Sequence, residues 1–273
     1  MEVFIIMKLT NEQIERYSRQ IILKEVGGKG QEKLLNSKVL VIGAGGLGSP
    51  VLLYLAAAGI GTLGIVDSDK VDITNLQRQV IHFTDDLKKE KVLSAKEKIE
   101  KINPDVHVIT YNTRVDASNI REIIKEYDFI IDGTDNFPAK FLINDACYFE
   151  KKPYSHGGIL RFQGQTMTYT PGNACYRCIF ETPPPKGVIP SCSEAGIIGA
   201  MAGLLGVIQA SEAIKYLLST GELLTNKLLF VDILNLEFRV INIKRNKKCP
   251  LCSESPEIKE LIDIEQPICK ISI

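Results

Sequence analysis

Three groups of residues in this chain have types and spacings that can do chemistry: paired cysteines, a glycine-rich turn, and charged side chains that follow that turn. Cys175-Tyr-Arg-Cys178 and Cys249-Pro-Leu-Cys252 are two C-x-x-C pairs, seventy residues apart. Two such knuckles can set four thiolates tetrahedrally around Zn²⁺, whereas a thioredoxin-like redox role would need only one pair. Four thiolates leave no open position for substrate, so the metal would be a structural clamp tying the middle of the chain to its end. Cys147 and Cys269 have no partner by spacing and read as a buried thiol and a tail residue. Cys192 differs again, because Pro190-Ser191-Cys192-Ser193-Glu194-Ala195-Gly196 opens a glycine-rich helical stretch whose dipole would lower a thiol pKa. By residue type alone it is as readily a nucleophile as an inert cysteine.

The glycine turn lies in KVLVIGAGGLGSPVLLYLAAAGIGTLGIVDSD, Lys38 to Asp69. Val39 to Ile42 has the unbroken apolar character of a strand covered on both faces. Gly43, Gly45 and Gly48 then give the G-x-G-x-x-G spacing at the start of a helical pattern that runs from about Leu47 to Ala58 and stops at Gly59. A second strand, Leu63 to Val66, ends on Asp67. Glycines let the backbone approach a phosphate, the helix start favours negative charge, and an acid at the end of the second strand is placed for a ribose hydroxyl. The pattern indicates a nucleotide without saying which.

The segment after Asp67 is dense in polar side chains: Asp69, Asp72, Thr74, Asn75, Gln77, Arg78 and Gln79. It should lie at the carboxyl end of the sheet, where open α/β folds bind ligands. The planar fork of Arg78 suits a phosphate; the blander reading of these residues is a capped helix with a solvated arginine. An amphipathic helix over 87–102 carries Lys91, which position alone does not separate from Lys88 or Lys89. Phe129 to Ile131 is a further buried strand, ending in Asp132 and Asp135. Two carboxylates beside phosphates would hold Mg²⁺; otherwise they cap the next helix, Ala139 to Phe149. Arg19, in a polar helical segment over 8–36 with Thr10 as its N-cap, reads by itself as a surface charge. His82, His107 and His156 form no catalytic spacing and read as structural.

These residues require an α/β frame. A parallel half is expected over 37–150, and alternating strand patterns at Gln165 to Tyr169, Leu228 to Ile233 and Glu237 to Ile243 point to antiparallel strands in the second half. Pro183-Pro184-Pro185 marks an irregular crossover over Glu181 to Pro190. With 33 basic and 33 acidic residues the formal charge is zero, so no global basic field argues for nucleic acid or an anionic membrane. No stretch has signal-peptide character, and the apolar run Ala195 to Ile208 is shorter than the roughly 20 residues of a spanning helix, so it reads as a buried helix. A cytoplasmic, reducing setting is the expectation, in which metal ligation or catalysis outranks disulfides for the 7 cysteines.

Taken together and in order, the glycine loop, Asp67, Asn75-Leu76-Gln77-Arg78-Gln79, Asp132-Gly-Thr-Asp135-Asn136, the two C-x-x-C pairs and Cys192-Ser-Glu-Ala-Gly196 resemble the ThiF/MoeB/HesA family, relatives of the ubiquitin-activating enzymes. The likeness runs from roughly Leu9 to Cys252. It implies one adenylation domain: a Rossmann-like mixed sheet, parallel in its N-terminal half and antiparallel in its C-terminal strands, with a zinc-stapled crossover. A carrier-binding and zinc half would occupy 151–252, and a tail, 253–273, falls outside the likeness. The resemblance implies ATP, with adenylation of the C-terminal glycine carboxylate of a ubiquitin-like sulfur carrier ending in Gly-Gly and release of pyrophosphate, for thiamine or molybdopterin synthesis. Gly46 would approach the phosphates, Asp67 would hold the ribose, Asn75, Arg78 and Lys91 would contact phosphate oxygens, and Asp69 and Gln79 would belong to the same nucleotide site. Asp135, next to Asn136, would act through Mg²⁺; Arg19 would reach the ATP of a second protomer in a homodimer; Cys192 would lie near the adenylate. Sulfur would come from a separate donor, since no sulfurtransferase domain follows Cys252. A tRNA-modifying adenylating dehydratase of the same family is an alternative. Outside it, an NAD-dependent oxidoreductase would account for the glycine loop and Asp67 but leaves Arg78, Asp135 and Cys192 without roles, and a zinc-stapled scaffold would need none of them.

Overall fold

The computed structural model describes residues 9–185, 187–188 and 195–265. Eight strands form one sheet: β1 Lys38–Ile42, β2 Thr62–Val66, β3 His107–Tyr111, β4 Phe129–Asp132, β5 Tyr154–Leu160, β6 Gln163–Tyr169, β7 Lys227–Asp232 and β8 Glu237–Asn242. Their spatial order is β3-β2-β1-β4-β5-β6-β7-β8. Strands β3 to β5 in that order are mutually parallel, and β5-β6, β6-β7 and β7-β8 are antiparallel. Strand β5 is the piece that the alternation pattern did not reveal. It joins the two halves, parallel to β4 on one edge and antiparallel to β6 on the other, and its His156-Gly-Gly core lacks the β-branched run that marks a strand.

Eight helices flank the sheet among the described residues: α1 Asn11–Arg16, α2 Ser18–Ile21, α3 Gly27–Leu35, α4 Gly48–Ala58, α5 Lys91–Ile102, α6 Ile120–Ile124, α7 Phe137–Phe149 and α8 Gly199–Leu218. Thr10 caps α1 as expected, in a capping box with Gln13. The helix expected over 87–102 begins later, at Lys91, because Lys88 sits in a turn at φ 72° after a 3₁₀ turn at Thr84–Asp86.

The apolar strands are covered on both faces, and successive residues serve different cores. Val39, Val41, Leu63, Ile65 and Ile131 pack with Val51, Leu52 and Leu55 of α4, Val92, Ala95 and Ile99 of α5, and Ala210, Ala213 and Leu217 of α8. Leu40, Ile42, Val66 and Ile130 point the other way, onto Ile120, Ile123 and Ile124 of α6, Leu142, Ile143 and Ala146 of α7, and the buried Cys175, Cys249, Leu251 and Cys252. This double burial explains why β1 reads as an unbroken apolar run. Helix α8 is the one described helix long and apolar enough to cross a membrane by length and composition. Here it packs against α4, β4, β5 and β6, as a core helix does.

The chain goes outward from β1 to β2 and β3, then returns to place β4 on the opposite side of β1. A crevice therefore opens between the carboxyl ends of β1 and β4, the switch point at which open α/β sheets take ligands. The ladder is drawn on past the strand ends: Gly43 N–H donates to Val66 O at 2.7 Å and Gly133 N–H to Ile42 O at 2.8 Å. Gly43, Asp67 and Gly133 thus stand side by side.

Candidate nucleotide site and cysteine centre

The turn after β1 tolerates no side chain at two of its glycines. Gly43 has φ +100°, and a Cβ there would meet Gly133 O at 2.7 Å; a Cβ on Gly48 would lie 1.8 Å from Gly43 O. The first turn of α4 is thereby pressed against the end of β1, where Ser49 N–H is taken by Gly45 O and Val51 N–H by Leu47 O, so the backbone facing the crevice is that of the glycine turn at Gly45 and Gly46. At Gly46 a Cβ would crowd Ala202 of α8 and the stem of Arg78. Two side chains brace the turn from behind. Asp67 accepts Ala44 N–H through Oδ2 and Asp69 N–H through Oδ1, both at 2.8 Å. His82 stands with Nδ1 2.8 Å from Ser94 Oγ and Nε2 2.9 Å from Ala44 O. Burial pushes His82 down to about 4, so the ring is neutral at physiological pH. Burial also raises the Asp67 carboxyl, with Lys91 opposing it.

A cavity of about 620 Å³ occupies the crevice. Its lining brings together most of the residues singled out in the sequence: Gly43, Gly45, Gly46, Asp67, Asp69, Arg78, Gln79, Lys91, Asp135 and Asn136. Gly48 acts behind the wall, through the contact with Gly43. Among the three adjacent lysines, Lys91 is the one on the cavity; its buried Nζ donates to Asp69 Oδ2 at 2.9 Å. Arg78 is held by an Nη1 bond to Thr74 O at 3.0 Å, with the rest of its fork at the cavity. Gln79 is buried there, with Oε1 lacking a hydrogen-bond partner among the described residues. Asn75 is not on the lining: its Oδ1 accepts Asp72 N–H at 3.2 Å and closes the capping box of a 3₁₀ turn. Arg19, on α2, is exposed and away from the cavity of its own chain. Cys192 lies outside the described residues.

The two acids that end β4 have separate fates. Asp135 is exposed at the cavity and makes no hydrogen bond or ion pair among the described residues. Asn136 caps α7 through Ala139 N–H at 2.9 Å. Asp132, expected beside it as a second metal-facing carboxylate, instead points into the core with no exposure. Its Oδ2 accepts from Lys140 Nζ at 3.1 Å and lies 2.9 Å from His156 Nδ1, while its Oδ1 accepts from Thr134 N and Oγ1. Burial alone would raise this carboxyl, but Lys140, His156 and Thr134 hold it well below the usual carboxylate range. Burial in turn depresses His156, with Asp132 opposing and the Lys140 charge adding to the depression. Lys140 also donates to Thr134 O and Gly157 O. The cluster clamps the turn from which Asp135 projects. Its members come from β4, α7 and β5, and no local spacing announces them.

A single exposed carboxylate fits Mg²⁺, which binds phosphates through one or two carboxylates and keeps several waters.

The four cysteines come together on the α6–α7 side of the sheet. Their sulfurs lie within 4.8 Å of one another, with Cys175–Cys178 at 3.9, Cys175–Cys249 at 3.7 and Cys178–Cys252 at 3.4 Å. Zn–S bonds of about 2.3 Å in a tetrahedron put sulfurs about 3.8 Å apart, so the donor set fits Zn²⁺. Backbone N–H groups of Asn246 and Cys252 reach Cys178 Sγ and Cys249 Sγ at 3.4 Å, which suits thiolates. Cys147 is buried with no sulfur partner among the described residues.

A profile of the ThiF family matches residues 17–251. The sulfur carrier protein adenylyltransferase of Thermus thermophilus is 43% identical over 265 residues, which cover 95% of this chain and 98% of that protein. The SAMP-activating enzyme E1 of Haloferax volcanii is 44% identical over 269 residues, covering 98% and 99%. Among solved structures, Escherichia coli MccB with ATP superimposes with a TM-score of 0.76 at 25% identity, over 87% of this chain and 74% of that one. The match across both the crevice and the cysteine pairs leads to one conclusion: this chain belongs to the ThiF family.

Proposed function

We propose that this protein is an ATP-dependent adenylyltransferase that activates the C-terminal glycine carboxylate of a ubiquitin-like sulfur-carrier protein. The observation that carries the reading is the convergence of Asp67, Arg78, Lys91 and Asp135, from separate segments of the chain, on one cavity beneath a glycine turn. The names of the Thermus and Haloferax relatives, both matched over nearly their full length, support the activity and the carrier class.

The chemistry asks for alignment and charge neutralisation. A carboxylate is nucleophilic at neutral pH, so no general base is needed. One of its oxygens bonds to the α-phosphorus of ATP while the bond from that phosphorus to the pyrophosphate oxygen breaks. The glycine turn supplies N–H donors to the phosphates at the start of α4, and Arg78 and Lys91 offset charge that shifts onto pyrophosphate. Asp69 holds Lys91 in place. Asp67, braced by the turn, stands for a ribose hydroxyl. Mg²⁺, held from Asp135, would neutralise phosphate charge when bound. Zinc at the four cysteines would be structural, coordinatively closed to substrate.

The finer parts of the proposal are a homodimer in which Arg19 serves the neighbouring protomer's ATP, a separate sulfur donor, and Cys192 near the adenylate. The exposed Ile22 and Leu23 beside Arg19 support a protein contact on that face. Leu234, Leu236, Phe238 and Val240 around β8 form a second exposed apolar surface that a protein partner would cover. Thiamine or molybdopterin synthesis is the pathway, decided by which carrier is accepted. The test is ATP–pyrophosphate exchange with carriers ending in Gly-Gly. Exchange should appear with one carrier and fall by about 10²–10³ in Arg78→Ala, the usual loss for one preorganised charge-stabilising donor. Absence of exchange with every carrier would refute the reading.

A further inference from the structure

The tail beyond the zinc knuckle lies past the family match and has no part in the function so far described. It returns to the nucleotide cavity. From Cys252 the chain turns back, with Ile258 N–H donating to Pro250 O at 2.9 Å. Ile258 and Leu261 pack on the apolar cluster that holds Val115, Ala117, the residues of α6 and Leu142. Asp263 Oδ1 then accepts Ala117 N–H at 2.9 Å, a contact 146 residues apart in sequence. Ile264 packs with Phe137 and Phe141 at the start of α7. The tail therefore bridges the loop after β3 and the first turns of α7, and Asp263 and Ile264 line the cavity.

The position along the cavity identifies the part of the ligand these residues face. Phosphate donors cluster at the glycine turn, and Asp67 marks the ribose at the end of β2. The next wall outward is made by Thr113, Arg114 and Val115 after β3, with Arg114 Nε donating to Ser68 Oγ at 3.3 Å, by Pro138 and Leu142 of α7, and by the tail's Ile264. Val115 on one side and Pro138, Leu142 and Ile264 on the other give apolar surface that suits a flat base. Such a slot still has to satisfy the base's exocyclic donor, and the carboxylate at this end is Asp263. Its Oδ1 is fixed by Ala117, and its other oxygen has no hydrogen-bond partner among the described residues.

We propose that the tail is a strap that walls the base end of the nucleotide cavity, and that Asp263 selects adenine by accepting a hydrogen bond from its 6-amino group. This rests on the reading of the cavity as an ATP site. The test compares dissociation constants for ATP and purine riboside triphosphate, which lacks the 6-amino group, in the full-length protein and in Asp263→Ala and Asp263→Asn. Wild type should prefer ATP by about tenfold, the range of one charge-assisted hydrogen bond. Asp263→Ala should bring the ratio to about one by weakening ATP alone. Asp263→Asn should do the same or reverse it, because the side-chain amide turned to the base is a donor. Hydrogen exchange of tail amides over 258–264 should slow when ATP is bound. A preference that persists in Asp263→Ala overturns the role of Asp263, and a tail that ATP does not protect overturns the strap. Wild type that binds neither nucleotide would refute the adenylyltransferase reading as well; wild type that binds ATP but shows none of these changes refutes the strap alone.

Discussion

Lys140→Met tests whether the buried cluster beneath the β4 turn holds Asp135 in place. Methionine keeps most of the lysine stem, so little cavity is created and the change is mainly electrostatic. In the native protein the Lys140 and Asp132 side chains are 7% and 0% exposed. Removing one partner of a buried pair strands the other, at a cost of about 3–5 kcal/mol. The Thr134 and Gly157 carbonyls lose a donor in addition. Urea unfolding of the zinc-loaded protein at pH 7.5 should show a loss of that size. The sign of its pH dependence follows from the neighbours. His156 is depressed by burial, and Lys140 adds to the depression; without Lys140, His156 gains a proton more readily and becomes the counter-ion of Asp132. The deficit should therefore shrink between pH 7.5 and 5.5. Lys140→Arg should retain most of the stability. Pyrophosphate exchange should fall in Lys140→Met even where the protein is fully folded, because the turn carrying Asp135 loses its clamp. A stability loss under about 1 kcal/mol, or a deficit that does not change with pH, would refute the reasoning.

Two further outcomes follow from the geometry. Protein produced with zinc should hold one ion per chain, and chelation should lower the unfolding midpoint by about 5 °C, equivalent to roughly 3 kcal/mol in a chain of this size; metal-free protein with an unchanged midpoint would remove the clamp. His82 has a folded pKa of about 4 against an unfolded value of about 6.5, so the folded state binds fewer protons. Its contribution is complete above pH 6.5 and is lost as pH falls towards 4, by about 3 kcal/mol at most. His82→Asn should flatten the stability profile across that window, and an unaltered slope would show that the ring is not buried neutral.

Chemistry set by local spacing was legible in the residues. The G-x-G-x-x-G turn, Asp67 at the next strand end and the two C-x-x-C pairs each depend on short-range geometry. The structure places the first two at one crevice and assembles the four cysteines on the opposite face of the sheet from α4. Strand β1 was legible because double burial demands an unbroken apolar run. Strand β5 was not, since its two glycines carry no pattern and its place depends on neighbours on both edges.

What only tertiary structure decided is the partner of each charge. Asp132 and Asp135 are alike in sequence, yet one is buried against Lys140 and His156 and the other faces the cavity, because the last residue of a strand can point to the core while a residue of the turn that follows points to solvent. The pairing of Asp132 with His156 spans 24 residues and that of Ala117 with Asp263 spans 146. No residue type or spacing encodes such contacts. They exist because β5 docks beside β4 and because the tail, led back past the zinc knuckle, finds apolar surface on α6 and α7. The sequence thus determined which nucleotide-binding elements the chain contains, through rules that act within a turn or a strand. Folding determined which of its acids and bases reach the cavity, because burial and charge pairing depend on segments that meet only in three dimensions.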